Sequence, residues 1–265
     1  MGSELGAPLV LVTGAAGRIG RSLCADLPEH GWRVRGFDRS PVDGGITGDI
    51  RDPGALDAAL DGANAVVHLA GQPTEAPWPV IRDANIEGTL QMFEAARRSG
   101  VRRIVFASSN HATGFTPVAP ELPVDGPARP DTLYGVSKVF GEALGHYYAD
   151  RYGLQVACVR IGTFADRPRS SRALATWLSP GDCTRLVDAC LRAENLSYAL
   201  LWGVSANTRR TWRLDEAYAL GYRPRDDAEA FAAEIAEGPN YPADRYVGGE
   251  FTAPGFGIDE VASRS

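Results

Sequence analysis

Two side chains one helical turn apart carry the most specific chemistry in this sequence. Tyr134-Gly135-Val136-Ser137-Lys138 reads Y-x-x-x-K, and on a helix the i, i+4 spacing puts the phenol and the ammonium on one face. Free tyrosine titrates near pH ~10, too high for a base at neutral pH. A nearby ammonium together with a second cation in the same cleft favours the phenolate; lowering the pKa by about 3 units requires about 4 kcal/mol of differential stabilisation, which two such charges supply. Such a pair is common on helices, so its neighbours decide. Ser108 and Ser109 close an apolar run that ends 25 residues before Tyr134. That run is expected as a strand beside the first in the sheet, and strand C-terminal ends line the ligand crevice of open α/β sheets.

A second group of residues suits a dinucleotide. Gly14-Ala15-Ala16-Gly17-Arg18-Ile19-Gly20 follows the apolar run of residues 9–12 and opens a helical stretch. Glycines at this spacing allow a tight turn, a close backbone approach to a pyrophosphate, and close helix–strand packing. The helix that follows presents free N–H groups and a partial positive charge to the phosphates. Asp38 ends the second strand, 18 residues past Gly20. A carboxylate there accepts hydrogen bonds from ribose hydroxyls and repels a 2′-phosphate, which favours NAD over NADP even with Arg39 adjacent.

The elements that must position these groups alternate. Apolar runs at 9–12, 33–38, 46–50, 65–69, 101–108, 155–161 and 198–204 read as strands. Residues 19–30, 53–60, 80–99, 133–152, 183–193 and 228–236 read as helices. Gly31, Gly100 and Gly153 stand where helix C-caps are expected. This β-α alternation predicts an α/β fold, a Rossmann-type doubly wound parallel sheet with helices on both faces. Residues 1–265 are expected as a single domain. Residues 9–162 form its NAD-binding core, and 163–265 are mostly a small C-terminal substrate-side lobe and a weakly patterned tail.

Composition narrows the class. A net charge of −6 without a clustered basic surface excludes a nucleic-acid partner in this reading. No apolar window approaches the ~18 residues of a membrane span. Residues 1–8 lack the basic start and apolar run of a signal peptide. Cys24, Cys158, Cys183 and Cys190 form no C-x-x-C pair, so no metal is expected, and a reduced, cytoplasmic setting follows.

With these motifs in place, the sequence resembles the extended short-chain dehydrogenase/reductase superfamily over roughly residues 9–165, and within it the uronate dehydrogenases. The superfamily pattern rests on Gly14-x-x-Gly17-x-x-Gly20, Asp38, Asp49-Ile50, His68-Leu69-Ala70-Gly71, Asn85-x-x-Gly88, Ser109, Tyr134-x-x-x-Lys138 and Arg160. The narrower likeness rests on the stretches 104–111, 129–138 and 159–162, on Thr176-Trp177, and on Trp202-Gly203-x-Ser205-Ala206-Asn207. Arg160 ends a strand and reads as structural.

The resemblance implies oxidation of a hexuronic acid such as glucuronate or galacturonate at C1, with hydride passed to NAD and an aldarolactone as product. Tyr134 would be the general base, Lys138 would hold its phenolate and the nicotinamide ribose, and Ser109 would donate to the developing carbonyl oxygen. The resemblance also assigns cofactor contacts to Arg18, Ile19, Asp49, Ile50, Leu69, Ala70, Gly71, Asn85, Ser108 and Ile161. Asn110 and His111 would hydrogen-bond ring hydroxyls. The substrate carboxylate calls for a guanidinium fork. Arg167, Arg169 and Arg172 are all available by composition, and the family position falls on Arg172. Two departures bear on epimer preference and affinity. Pro73 stands where the family has a substrate-contacting serine, and Thr163 stands where it has another.

Superfamily members often pair through the helices here expected at 80–99 and 133–152, so a homo-oligomer is expected. Two other functions compete: a nucleotide-sugar epimerase or dehydratase, and a non-catalytic NAD-binding redox regulator. A dehydratase would want acidic residues after the serine pair, where Asn110-His111 stands. A regulator would tend to lose the tyrosine or the lysine, and both are present.

Overall fold

Most sheet strands are apolar runs short enough to be buried on both faces, as a parallel sheet covered by helices demands. The structure, a computed structural model, describes residues 6–235 and 245–256. The expected helix end at Ala236, the tail from 257 to 265 and the first five residues lie outside the described residues. In chain order, β1 (Leu9–Thr13) leads through the glycine loop into α1 (Arg18–Asp26), followed by β2 (Arg33–Asp38), β3 (Ile46–Thr47), α2 (Pro53–Leu60) and β4 (Ala65–His68). Then come α3 (Trp78–Ile81), α4 (Gly88–Arg98), β5 (Arg103–Ser109), α5 (Leu133–Tyr152) and β6 (Gln155–Ile161). The C-terminal third contributes β7 (Thr163–Phe164), α6 (Ala173–Thr176), β8 (Trp177–Leu178), α7 (Pro180–Arg192), β9 (Tyr198–Gly203) and α8 (Asp215–Ala219).

The main sheet is parallel, in the order β3-β2-β1-β4-β5-β6-β9. The chain runs outward from β1 to β3, then returns to the other side of β1 with β4. The crevice therefore opens at the C-terminal ends of β1 and β4, where the order reverses. β5 was expected beside β1. It pairs with β4 instead, one strand further out, because β4 takes the place next to β1. Ser108 and Ser109 still reach the crevice, because β5 runs longer than β4.

Three expected elements are interrupted for local reasons. The helix over 19–30 ends at Asp26 and tightens into a 3-10 turn at Leu27–His30, with Pro28 at its start and Gly31 closing it at φ 83°; Pro28 has no N–H to continue the α-helical ladder. The helix over 80–99 carries a π turn at Arg82–Glu87 between α3 and α4. The stretch beginning at Ala228 is wound as a 3-10 helix, Ala228–Glu234. At three residues per turn Ala228 and Phe231 share a face; both belong to the apolar cluster with Leu174 and Trp177, and Phe231 meets the Trp177 ring edge-on.

The sheet's two faces bury separate apolar layers. Leu23, Leu27, Leu186, Val187 and Leu191, from α1 and its following turn and from α7, cover one. Leu56, Leu60, Met92, Phe93 and Tyr148, from α2, α4 and α5, cover the other. Fully burying each such side chain is worth about 1.5–3 kcal/mol. α5 sits unusually close to the sheet. A Cβ at Gly141 would lie 2.2 Å from Phe106 Cζ, and one at Gly145 would lie 2.9 Å from Val156 Cγ1. That close approach carries the start of α5, with Tyr134 and Lys138, to the end of β5.

Candidate active site

The glycine loop has the geometry its residue types promise. Gly14 adopts φ 72°, and a Cβ there would lie 2.8 Å from Ala70 N; a Cβ on Gly20 would lie 2.2 Å from Gly14 O. Gly17 is the N-cap of α1 and supplies no side-chain cap, so the first N–H groups of that helix are open to an anion. Asp38 closes the other side: its Oδ2 accepts from Ala16 N at 3.0 Å and its Oδ1 from Ser40 N at 2.9 Å. The acid expected to hold a ribose also ties the end of β2 to the glycine loop. These features fit a dinucleotide.

From this loop a cleft of about 670 Å³ runs along the strand ends. Gly14, Gly17, Arg18, Ile19, Gly20, Asp38, Asp49 and Ile50 line one part, with Arg39 beside Asp38. Leu69, Ala70, Gly71 and Pro73 line the middle, and Ser108, Ser109, Asn110, His111, Tyr134, Lys138 and Ile161 the far part. Three expected contacts are not on its wall. Asn85 is buried in the π turn, where its Oδ1 accepts from Gln72 N at 2.6 Å and its Nδ2 donates to Gln72 O and to Ser137 Oγ at 3.1 and 2.9 Å. Its amide is committed to holding the loop after β4 against α5. Thr163 lines an adjoining cavity that shares Arg18, His111, Gly162 and Phe164 with the cleft. Arg172 stands behind Thr163, with Nη2 donating to Val247 O at 2.6 Å and Nη1 3.5 Å from Thr163 Oγ1. Of the other two candidate cations, Arg167 pairs with Glu234 at 3.0 Å, and Arg169 is exposed on the adjoining cavity.

Tyr134 and Lys138 meet as the helical spacing requires. Lys138 Nζ lies 5.4 Å from the centre of the Tyr134 ring and donates to Ala107 O at 2.8 Å. Burial pushes the Tyr134 phenol up to about 12; a hydrogen bond with Ser109 opposes this, and the Asp131 charge adds to it. Burial brings the Lys138 ammonium down to about 8, partly offset by Glu142. The expected acidity rests on two cations, the lysine and a bound nicotinamide ring, and the protein's own groups leave the phenol raised. In this dry site desolvation is the largest influence on the phenol.

Several supporting residues escaped the sequence reading. Glu75 accepts from Tyr134 N at 2.8 Å; a lone glutamate in a polar loop gives no signal. Glu142 binds Arg160 through both carboxylate oxygens at 2.8 Å, accepts from the Ser108 hydroxyl, and is buried. Its place four residues after Lys138 was the available clue. Arg160 is structural, as its strand-end position suggested: it also donates to Val124 O at 2.8 Å. Asp131 Oδ2 lies 2.8 Å from His111 Nδ1, and Phe251 packs at a tilt against the same imidazole with ring centres 4.2 Å apart.

The sequence profile of the NAD dependent epimerase/dehydratase family matches residues 10–179, from β1 to the start of α7's cap. The chain belongs to that family. Within the epimerase/dehydratase family it is similar to the uronate dehydrogenase of Agrobacterium fabrum, at 42% identity over 91% of this chain and 96% of the relative. It is also similar to the NAD-dependent glucose-6-phosphate dehydrogenase of Haloferax volcanii, at 39% identity over 85% of this chain and 96% of that one. Among solved structures, a mutant uronate dehydrogenase from Agrobacterium tumefaciens complexed with NAD superposes with a TM-score of 0.88 at 40% identity, covering 93% of this chain and 98% of the other. No helix among the described residues of this family member is long and apolar enough to cross a membrane.

Proposed function

We propose that this chain is an NAD-dependent uronate dehydrogenase, oxidising C1 of a hexuronic acid, D-glucuronate or D-galacturonate, to the aldarolactone. The observation that carries the reading is the Ser109–Tyr134–Lys138 cluster, in one cleft with a glycine loop whose helix N-terminus is uncapped. The named relatives support the choice of substrate and cofactor.

Gly14, Gly17, Gly20, Arg18 and Ile19 would hold the dinucleotide's pyrophosphate, and Asp38 its adenosine ribose. When bound, an oxidised nicotinamide supplies the hydride acceptor and a positive charge. Tyr134 Oη would take the proton of the C1 hydroxyl as hydride leaves C1, so that the O–H electron pair becomes the new carbonyl bond. Ser109 Oγ would hydrogen-bond the oxygen as this develops, and Lys138 Nζ would keep a positive charge beside the phenolate. Asn110 and His111 would receive ring hydroxyls. Arg172, oriented by Val247 O, would meet the carboxylate beside Thr163. Pro73 gives the sugar no hydroxyl and no N–H, so either Gln72 or Thr74 takes over one contact or that sugar hydroxyl is held less tightly. A reducing, cytoplasmic setting belongs to the same reading, supported by four cysteines held as thiols. So does a homo-oligomer through α4 and α5, supported by the exposed Tyr147 and Tyr152; sedimentation at several concentrations tests it.

The test is NADH formation on mixing the protein with NAD and D-glucuronate, D-galacturonate, D-glucose 6-phosphate or a UDP-sugar. Turnover of a uronate, with kcat/KM at least tenfold above the others, is expected. Turnover of the sugar phosphate alone, conversion of the UDP-sugar alone, or NAD binding without turnover would each overturn the reading.

A further inference from the structure

We propose that Asp131 is a positioning residue for substrate recognition, holding His111 as the tautomer whose Nε2 accepts a hydrogen bond from a sugar hydroxyl. This rests on the reading of His111 as a substrate contact. The side chain of Asp131 is 0% exposed, and its Oδ2 lies 2.8 Å from His111 Nδ1. A carboxylate can only accept, so the nitrogen facing it carries the proton. Nε2 has no hydrogen-bond partner among the described residues, and the imidazole forms part of the wall of both cavities.

The carboxylate lies in a well that the backbone is shaped to enclose. A Cβ at Gly114 or at Gly248 would sit 1.9 Å from Asp131 Oδ2, so side chains at either position would displace it. Gly248 N donates to Gly114 O at 2.9 Å, and Thr132 Oγ1 donates to Asp131 Oδ1 at 3.0 Å. The imidazole is fixed on its other sides by Phe251, at 4.2 Å between ring centres, and by the edge-on ring of Tyr134 at 5.9 Å. Sealing a carboxylate from water is costly unless a partner compensates, and the partner here is a ring on the cleft wall. Asp131 lines neither cleft, so it contacts a substrate only through His111, while its charge adds to the burial that raises the Tyr134 phenol.

Three measurements separate this proposal from the reading beneath it. In the unaltered protein, 15N NMR of labelled histidine, with His111 assigned by loss of its signal in His111→Phe, is expected to show a protonated Nδ1 and an unprotonated Nε2; the opposite tautomer overturns the proposal without any assay or Asp131 variant. An amide can donate as well as accept, so Asp131→Asn is expected to admit the other tautomer and to raise KM for D-glucuronate about tenfold, the worth of one hydrogen bond. kcat should not fall by more than about threefold, since losing the Asp131 charge lowers the Tyr134 phenol and does not raise it, and NAD affinity should be unchanged. The double variant Asp131→Asn/His111→Phe should have no higher a KM than His111→Phe alone, as for residues acting in series. Additive losses, or an equal loss of NAD affinity, would mean that Asp131 serves only to hold the fold. If His111→Phe raises KM and Asp131→Asn does not, the proposal fails while the substrate contact stands. An unchanged KM in His111→Phe removes the contact and the proposal together.

Discussion

The backbone N–H of Tyr134 donates to Glu75 Oε2 at 2.8 Å, across 59 residues of sequence, and Glu75 is only 5% exposed. The first turn of α5, where N–H groups lack intrahelical acceptors, is thus tied to the loop that follows β4. Removing the acceptor would strand a buried N–H at a cost of about 1–3 kcal/mol. Glu75→Ala is expected to lose that much stability in urea titration, and Glu75→Gln to recover most of it through its amide oxygen. A Glu75→Ala midpoint equal to that of the unaltered protein would mean the bond contributes nothing.

The order of the two proton affinities sets the pH dependence. Burial leaves Tyr134 near 12 and Lys138 near 8, so the phenolate beside an ammonium is a minor form of the protein at neutral pH. The base must be deprotonated to act. Its active fraction grows about tenfold per pH unit below the governing pKa, and the gain ends where the ammonium is lost. The uronate kcat should climb from pH 6 and level off on the alkaline side. Lys138→Met should cut kcat at pH 8 by about 100-fold or more. A flat profile between pH 6 and 9 would contradict this account.

Asp38 does two jobs with one carboxylate, accepting from Ala16 N at 3.0 Å within the glycine loop and facing the cleft beside Arg39. Asp38→Ala removes the acceptor for ribose hydroxyls and the charge that repels a 2′-phosphate, and leaves the arginine. KM for NAD should rise about tenfold. The NAD-over-NADP ratio of kcat/KM should fall by at least that factor. Retention of the full ratio would assign cofactor choice elsewhere.

Much of this arrangement was legible because it is local. The glycine spacing, the strand-terminal Asp38 and the i, i+4 pair Tyr134 and Lys138 each need only a few consecutive residues in a known element, and all line one cleft. What stayed hidden depends on distant segments meeting. Glu75 reaches Tyr134, Asp131 is sealed by Gly114 and Gly248, and Asn85 turns from the cleft to clamp Gln72 and Ser137. The reversed order of the Tyr134 and Lys138 affinities was hidden for another reason. It depends on burial, and spacing carries no measure of how dry a site is.

His68, at the end of β4, shows how dryness affects stability. It is 1% exposed, lies 2.8 Å from Thr13 Oγ1 and 3.3 Å from Thr89 Oγ1, and burial together with the Lys138 charge brings its pKa from 6.5 down to about 3. The unfolded chain binds a proton that the folded one refuses, so stability is full above pH 6.5 and declines as the pH falls toward 3. The span corresponds to about 5 kcal/mol. His68→Gln should flatten this part of the stability–pH curve measured by chemical denaturation. An unchanged slope would place the acid sensitivity in other groups.

The central claim is that the Tyr134 hydroxyl removes the proton from the sugar. Tyr134→Phe keeps the buried ring and deletes only that hydroxyl, so single-turnover NADH formation with saturating uronate reads the claim directly. The rate is expected to fall at least about 1,000-fold, while NAD binding, followed by calorimetry, stays within twofold. NADH formation at more than a tenth of the unaltered rate, with NAD still bound, would contradict it.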